Sequence, residues 1–256
     1  MGNMGNMGPL GHTVNCQRNQ SVMSIIRTIV RLVKWAVIVF FASSVLAVAA
    51  YRWLPVKVTP LMLIRSVQHL RSGEPMGYAH RWVPLSEMSP YLPVAVQASE
   101  DQNFMHHHGF DFDAIEDAAR EKMRGGRSRG ASTISQQTAK NVFLWPSSTW
   151  VRKGFEAYFT VLIELMWPKQ RIMEVYLNSI EMGPSIYGAE AVAERHFGCK
   201  ASELRRSDCA LIAATLPNPI RFSSLHPSRY MRKRRQQIQH QMKFIPLMPG
   251  VGETNP

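Results

Sequence analysis

No aspartate or glutamate occurs before Glu74, and within that acid-free stretch residues 35–51 run for 17 positions without a charge, WAVIVFFASSVLAVAAY, between Lys34 and Arg52. A helix rises about 1.5 Å per residue and a bilayer core takes roughly 20 residues, so the run can cross once Lys34 and Arg52 extend their stems along it. Trp35, Tyr51 and Trp53 stand where the polar edges of the bilayer would lie. The rival is a cleaved secretory signal, since Ala47-Val48-Ala49 has the small-x-small form of a cleavage site. The apolar run is longer than the roughly 7 to 15 residues of a signal core, which favours an uncleaved anchor over 23–54 and an exported domain behind it.

Arg18, Arg27, Arg31 and Lys34 precede the span closely, whereas only Arg52 and Lys57 follow it, which predicts a cytoplasmic N-terminus. Eight of the 30 Lys and Arg residues lie before Glu74; the other 22 face 18 acids, so most of the net charge of +12 lies ahead of Glu74. Such a balance calls for an anionic partner, and export disfavours nucleic acid as that partner. At 256 residues and 45% apolar the chain has enough material for one core, which excludes a disordered chain. Three cysteines are too few for a disulfide framework. Cys199 and Cys209 read either as two thiols or as one bridge, the thiols being favoured.

Residues 1–22, with repeated Met-Gly-Asn units and no apolar periodicity, predict a disordered cytoplasmic tail, and Met23 is an alternative start. Pro55, Pro60, Gly73, Pro75 and Gly77 make 55–81 a stalk, with at most a short helix over 61–70. From 82 to 245 the pattern is that of a mainly α domain, followed by a flexible tail over 246–256. Asp113 and Glu116 have capping-box spacing ahead of AIEDAAREKM, which Gly125-Gly126 stops. Pro168 opens a helix whose Ile172, Met173, Tyr176, Leu177 and Ile180 share one face. Further helices are expected over 93–100, 135–142, 151–166, 186–196, 207–215 and 229–243, with a Gly/Arg-rich loop, GGRSRGAST, outside the core.

Three clusters carry chemistry. The first, Glu100-Asp101-Gln102-Asn103-Phe104-Met105-His106-His107-His108, sets a carboxylate at a helix end beside an apolar ring, where its pKa can rise. Adjacent histidines on one short segment do not converge on one ion, so a zinc site is disfavoured. The second, Ser132, Thr133, Gln136, Gln137, Lys140 and Asn141, puts hydroxyls and amides at a helix start, a setting suited to phosphate or sugar oxygens or to an ordinary cap. In the third, Arg152, Lys153 and Glu156, the i, i+4 pair of Arg152 and Glu156 reads either as a common salt bridge or as cations poised for a leaving diphosphate.

Together and in this order these clusters resemble the peptidoglycan glycosyltransferase family, which includes the transglycosylase domains of penicillin-binding proteins and the monofunctional transglycosylases. The resemblance covers residues 82–242: Glu100, Asp101, Phe104, His107, Gly109 and Asp111 match its EDxxFxxHxGxD pattern. GASTISQQTAKN, the RKxxE ending at Glu156, KQRIMEVYLN ending at Asn178, and GPSIYGAEAVAERHFG complete it. Departures are Ala131 for a usual glycine, Ser135 for a usual threonine, and a lysine delayed to Lys200 by Cys199.

The resemblance implies a lysozyme-like α fold with a hydrophobic, membrane-associated lobe, into which Leu144-Trp145-Pro146 and Trp150 would dip. It implies that Glu100 and Glu156 are catalytic. Asp101, Phe104, His107, Ser132, Thr133, Gln136, Gln137, Lys140, Asn141, Arg152, Lys153 and Asn178 would contact substrate. The implied reaction polymerises lipid II into β-1,4 glycan strands by inversion, with release of undecaprenyl pyrophosphate. A divalent cation, magnesium or manganese, at Glu156 is compatible with it, and no organic cofactor is expected. Partners would be lipid II, the growing strand, the bilayer of the bacterial cytoplasmic membrane and other cell-wall synthases. No Ser-x-x-Lys occurs, so no transpeptidase domain is expected. The alternatives are a lysozyme-type hydrolase and a non-catalytic membrane-tethered scaffold.

Overall fold

Between His12 and Leu54 the chain has neither glycine nor proline, and nothing there stops a helix once it has begun. In the computed structural model α1 accordingly runs unbroken over Leu10–Tyr51. The structure describes residues 10–71, 77–125, 130 and 132–251, with the backbone alone at 10–22 and 69. Residues 10–22 are thus helical where composition suggested an irregular tail, while the Met-Gly-Asn repeat lies outside the described residues. Met23–Tyr51 is long and apolar enough to cross a membrane. The chain divides into two compact units, Met1–Ala49 and Ala50–Pro256.

In the second unit the segment expected as a stalk forms part of the domain. Val56, Thr59 and Met62 are buried, and α2 (Pro60–Arg71) packs on α5 (Ile134–Phe143). Burial of Met62 outweighs the nearby prolines, one of which simply starts the helix. Helix α3 (Tyr91–Glu100) packs on α9 (Arg206–Ala213) and α10 (Arg229–Gln241), and α5 packs against α6 (Trp150–Met166) and α7 (Lys169–Ser179).

A small sheet joins distant segments: β1 (Ala79–His80) lies parallel to β3 (Ile186–Tyr187), which lies antiparallel to β2 (Glu181–Gly183). Nearby, Asn178 accepts from Val83 N at 3.0 Å and donates to Val83 O at 2.9 Å. Arg171 donates to the Tyr51 carbonyl at 2.8 Å and to the Leu54 carbonyl at 2.5 Å.

Two expected boundaries move. Helix α4 (Phe112–Met123) is capped by Asp111 rather than Asp113, because Asp111 is the extended residue and its carboxylate accepts from Ala114 N at 2.9 Å. The helix expected over 186–196 is instead β3, a break at Gly188, α8 (Ala189–Val192) and a π-helical turn over Ala193–Phe197. Gly188 has φ +85°, and a Cβ there would lie 2.7 Å from the Asn178 carbonyl oxygen. Cys199 and Cys209 are free thiols; burial pushes the Cys209 pKa up to about 12.

Candidate active site

Glu100 is the last residue of α3 and only half-buried, so its side chain keeps access to solvent. Burial holds its pKa above the usual carboxylate value; a hydrogen bond from Gln137, the charge of Arg234 and a bond from Ser99 oppose the shift, and the Asp101 charge adds to it. Gln137 Nε2 donates to Glu100 Oε2 at 3.0 Å, while Ser99 Oγ reaches Oε1 at only 3.5 Å. One carboxylate oxygen is firmly held and the other loosely. That is the condition of a base able to take a proton.

The residues around Glu100 brace it. Asp101 turns inward, accepting from His107 Nε2 at 2.9 Å and from Ile134 N, in the first turn of α5, at 2.9 Å. His107 Nδ1 accepts from Gly109 N at 3.1 Å, which places the ring proton on Nε2, facing Asp101. Thr133 and Gln136 close a capping box at the start of α5, and Thr133 Oγ1 also donates to the Gly109 carbonyl at 2.7 Å. Gly109 adopts φ +95°, and a Cβ there would lie 2.8 Å from Thr160 Cγ2. Phe104 is wholly buried, with the Lys169 ammonium 4.6 Å above its ring.

Asp101, Phe104, His107, Thr133, Gln136 and Asn178, which the resemblance places at the substrate, are packed or hydrogen-bonded within the protein. All but Phe104, which has no polar side-chain atom, make at least one side-chain hydrogen bond within the protein. Ser132, Gln137 and Lys140 are half-buried.

The second part of the site lies where α5 meets α6. Buried Glu156 is gripped by Arg152 through one carboxylate oxygen and by Lys153 through the other. Lys140 is close enough that burial lowers its pKa, the Glu156 charge raises it, Arg152 and Lys153 lower it, and Glu100 raises it again. Three cations against one buried carboxylate leave about two positive charges over. Arg152 Nε is buried with no acceptor among the described residues. Lys140, Asn141 and Arg152 line a cavity of about 330 Å³ with Leu61, Leu144, Trp145, Pro146 and Ser147. The arrangement suits a doubly charged anion joined to an apolar chain.

Both Glu156 oxygens are met by cations, and the described residues contain no group of three His, Cys, Asp or Glu that could hold a metal ion without a substrate's phosphates.

A half-buried carboxyl with a raised pKa and a cationic cluster bordering an apolar-lined cavity are chemically compatible with group transfer. The transglycosylase family model matches residues 68–243. The chain belongs to the transglycosylase family. It is a glycosyltransferase, mainly α-helical, with one N-terminal apolar helix. A biosynthetic peptidoglycan transglycosylase of Bacteroides thetaiotaomicron is 60% identical over 88% of this chain and 91% of its own. Proteins of the same description are 50% identical in Bdellovibrio bacteriovorus, covering 87% of this chain and 89% of theirs, and 51% in Caulobacter vibrioides, covering 78% and 85%.

Two neighbours of this site are not marked as site residues by the sequence pattern: Tyr176, whose hydroxyl bonds Gln137, and Arg234, whose charge bears on Glu100. A tyrosine on a buried face needs a partner for its hydroxyl, and that signal was available.

Proposed function

We propose that the protein polymerises lipid II into β-1,4 peptidoglycan strands, with Glu100 as general base. Glu100 takes the proton of the acceptor sugar's 4-hydroxyl as that oxygen attacks the donor's anomeric carbon from the face opposite the leaving group. The new C–O bond forms as the bond to the pyrophosphate oxygen breaks, the electron pair leaving with undecaprenyl pyrophosphate and the configuration inverting. Glu100 then returns its proton to solvent. A sugar hydroxyl is a weak nucleophile unless deprotonated during attack, and a diphosphate leaves readily only when its charge is met.

The observation that carries this reading is the excess of about two positive charges at Lys140, Arg152 and Lys153, with Arg152 Nε lacking an acceptor among the described residues, together with a carboxyl whose pKa is raised. Lys140, Arg152 and Lys153 meet the diphosphate; Glu156 holds the last two in place. The relatives' description as biosynthetic peptidoglycan transglycosylases supports the polymer assigned.

The protein works at the bacterial cytoplasmic membrane, its N-terminus inside and its catalytic domain outside. Met23–Tyr51 serves as anchor, and Trp150, at 91% exposure, with Trp145 meets the lipid, whereas Leu144 is buried. The growing strand and other cell-wall synthases are its expected partners.

Labelled lipid II tests the assignment. The wild-type protein should build strands, and Glu100→Gln should lower turnover by about 10²-fold or more. An undiminished rate in that variant, or release of muropeptides from intact walls without polymer, would overturn it.

A further inference from the structure

Tyr176 sits on α7 with no exposed surface, behind the wall that carries Gln137. Its hydroxyl donates to Gln137 Oε1 at 3.4 Å, and Gln137 Nε2 donates to Glu100 Oε2 at 3.0 Å. Three elements, α7, α5 and α3, thus contribute one polar side chain each to a line that ends on the candidate base. We infer that Tyr176 is a positioning residue for the transfer reaction, acting on Glu100 by fixing the direction of the Gln137 amide.

The argument begins with what each group can do. An ionised carboxylate only accepts hydrogen bonds, so the amide must turn its NH₂ toward Glu100 and its carbonyl away. A carboxamide free to rotate would also visit the flipped orientation, placing its carbonyl oxygen against the carboxylate. Tyr176 offers that carbonyl a donor on the far side and thereby stabilises one orientation. The phenol is a dependable donor: burial, together with the Glu100 and Asp101 charges, raises its pKa well above the usual value. Tyr176 reaches no cleft surface and touches no substrate. Its effect must pass through Gln137.

Two consequences follow for Glu100. Oε2 is held by Gln137, which leaves Oε1, approached by Ser99 only at 3.5 Å, as the oxygen that receives the proton. The Gln137 bond is also the largest influence opposing the upward shift that burial imposes on Glu100. The other charged groups bearing on Glu100 are Asp101 beside it, Lys140 on α5 and Arg234 on α10, and of these Asp101 also bears on the Tyr176 hydroxyl. Loosening the amide should raise the Glu100 pKa further and move the acid limb of the rate profile to higher pH.

This inference rests on Glu100 being the base, and the test separates the two. Profiles of kcat against pH are compared for wild type, Tyr176→Phe, Gln137→Leu and the double variant, with lipid II as substrate. Tyr176→Phe should move the acid limb up by roughly half to one pH unit, a loss of about three- to tenfold in kcat on that limb that recovers at higher pH, with KM within about twofold. Gln137→Leu should shift the limb further, and adding Tyr176→Phe to it should change nothing more, because the phenol acts only through the amide. Should Tyr176→Phe be too unstable to assay, 3-fluorotyrosine placed at 176 keeps the shape and donates more strongly; the acid limb should then move down. An even fall in kcat at all pH values, an unmoved limb with either substitution, or additive effects in the double variant would overturn the inference while a dead Glu100→Gln leaves the base standing. A fully active Glu100→Gln would instead remove the base reading itself.

Discussion

Lys140 shows how burial can set the working range of a single side chain. Withdrawal from water disfavours its ammonium form, and the neighbouring Arg152 and Lys153 charges press the same way against the pull of Glu156 and Glu100. It therefore loses its proton at a lower pH than an exposed lysine. Glu100, shifted in the opposite direction, gains its proton at a higher pH than an exposed carboxylate. Under the proposed mechanism turnover needs the first charged and the second ionised, so the rate profile should be a bell narrowed from both sides. Lys140→Arg keeps a charge throughout the accessible range, and its alkaline limb should move up by about one pH unit or more while the acid limb stays in place. Lys140→Met should cost about 10²-fold in kcat. A pH–rate series on these two variants checks both statements, and an alkaline limb unmoved by the arginine would take Lys140 out of the leaving-group site.

Among the elements, the join between β3 and α8 is the least tolerant of change. Gly188 combines φ +85° with a carbonyl oxygen 2.7 Å from where a Cβ would stand, and the obstructing atom is backbone. Gly188→Ala should destabilise the fold by about 3 kcal/mol or more, read as a lowered melting temperature. The same glycine explains one limit of the sequence reading. Residues 186–196 carry helix-forming side chains, but the break depends on Asn178, eight residues or more upstream, and no local pattern records that contact. Helices with a clear apolar stripe, such as α6 and α7, were readable to within a residue or two, since burial of the stripe is what holds them. The α5 start was readable from Thr133 and Gln136 as a cap, and the cap is what the structure contains. Motif membership, however, does not distinguish a residue that touches substrate from one that braces its neighbour. Asp101 and His107 share a motif with Glu100, yet they are spent on each other and on the first turn of α5. Only three-dimensional contacts separate those roles.

Across the Ala50–Pro256 unit, large apolar side chains lie open to solvent at Trp53, Leu54, Leu63, Leu70, Trp150, Val151 and Leu165. A soluble surface rarely exposes so many, and the proposed lipid contact accounts for them. In the full chain reconstituted into vesicles, lipids brominated along the acyl chain should quench tryptophan fluorescence, and Trp150→Phe should remove a substantial part of that quenching. Equal quenching with and without Trp150 would place this residue outside the bilayer.

The parallel pairing of His80 with Tyr187 has a consequence for how the molecule is made. The two partners are 107 positions apart in the chain, and Val83 waits similarly for Asn178. With ribosomes adding roughly 5 to 20 residues per second, the earlier strand stands unmatched for about 5 to 20 seconds before its mate is synthesised. During that interval His80 and Val83 lack the partners that complete their backbone hydrogen bonding, so this corner of the domain closes only late in synthesis.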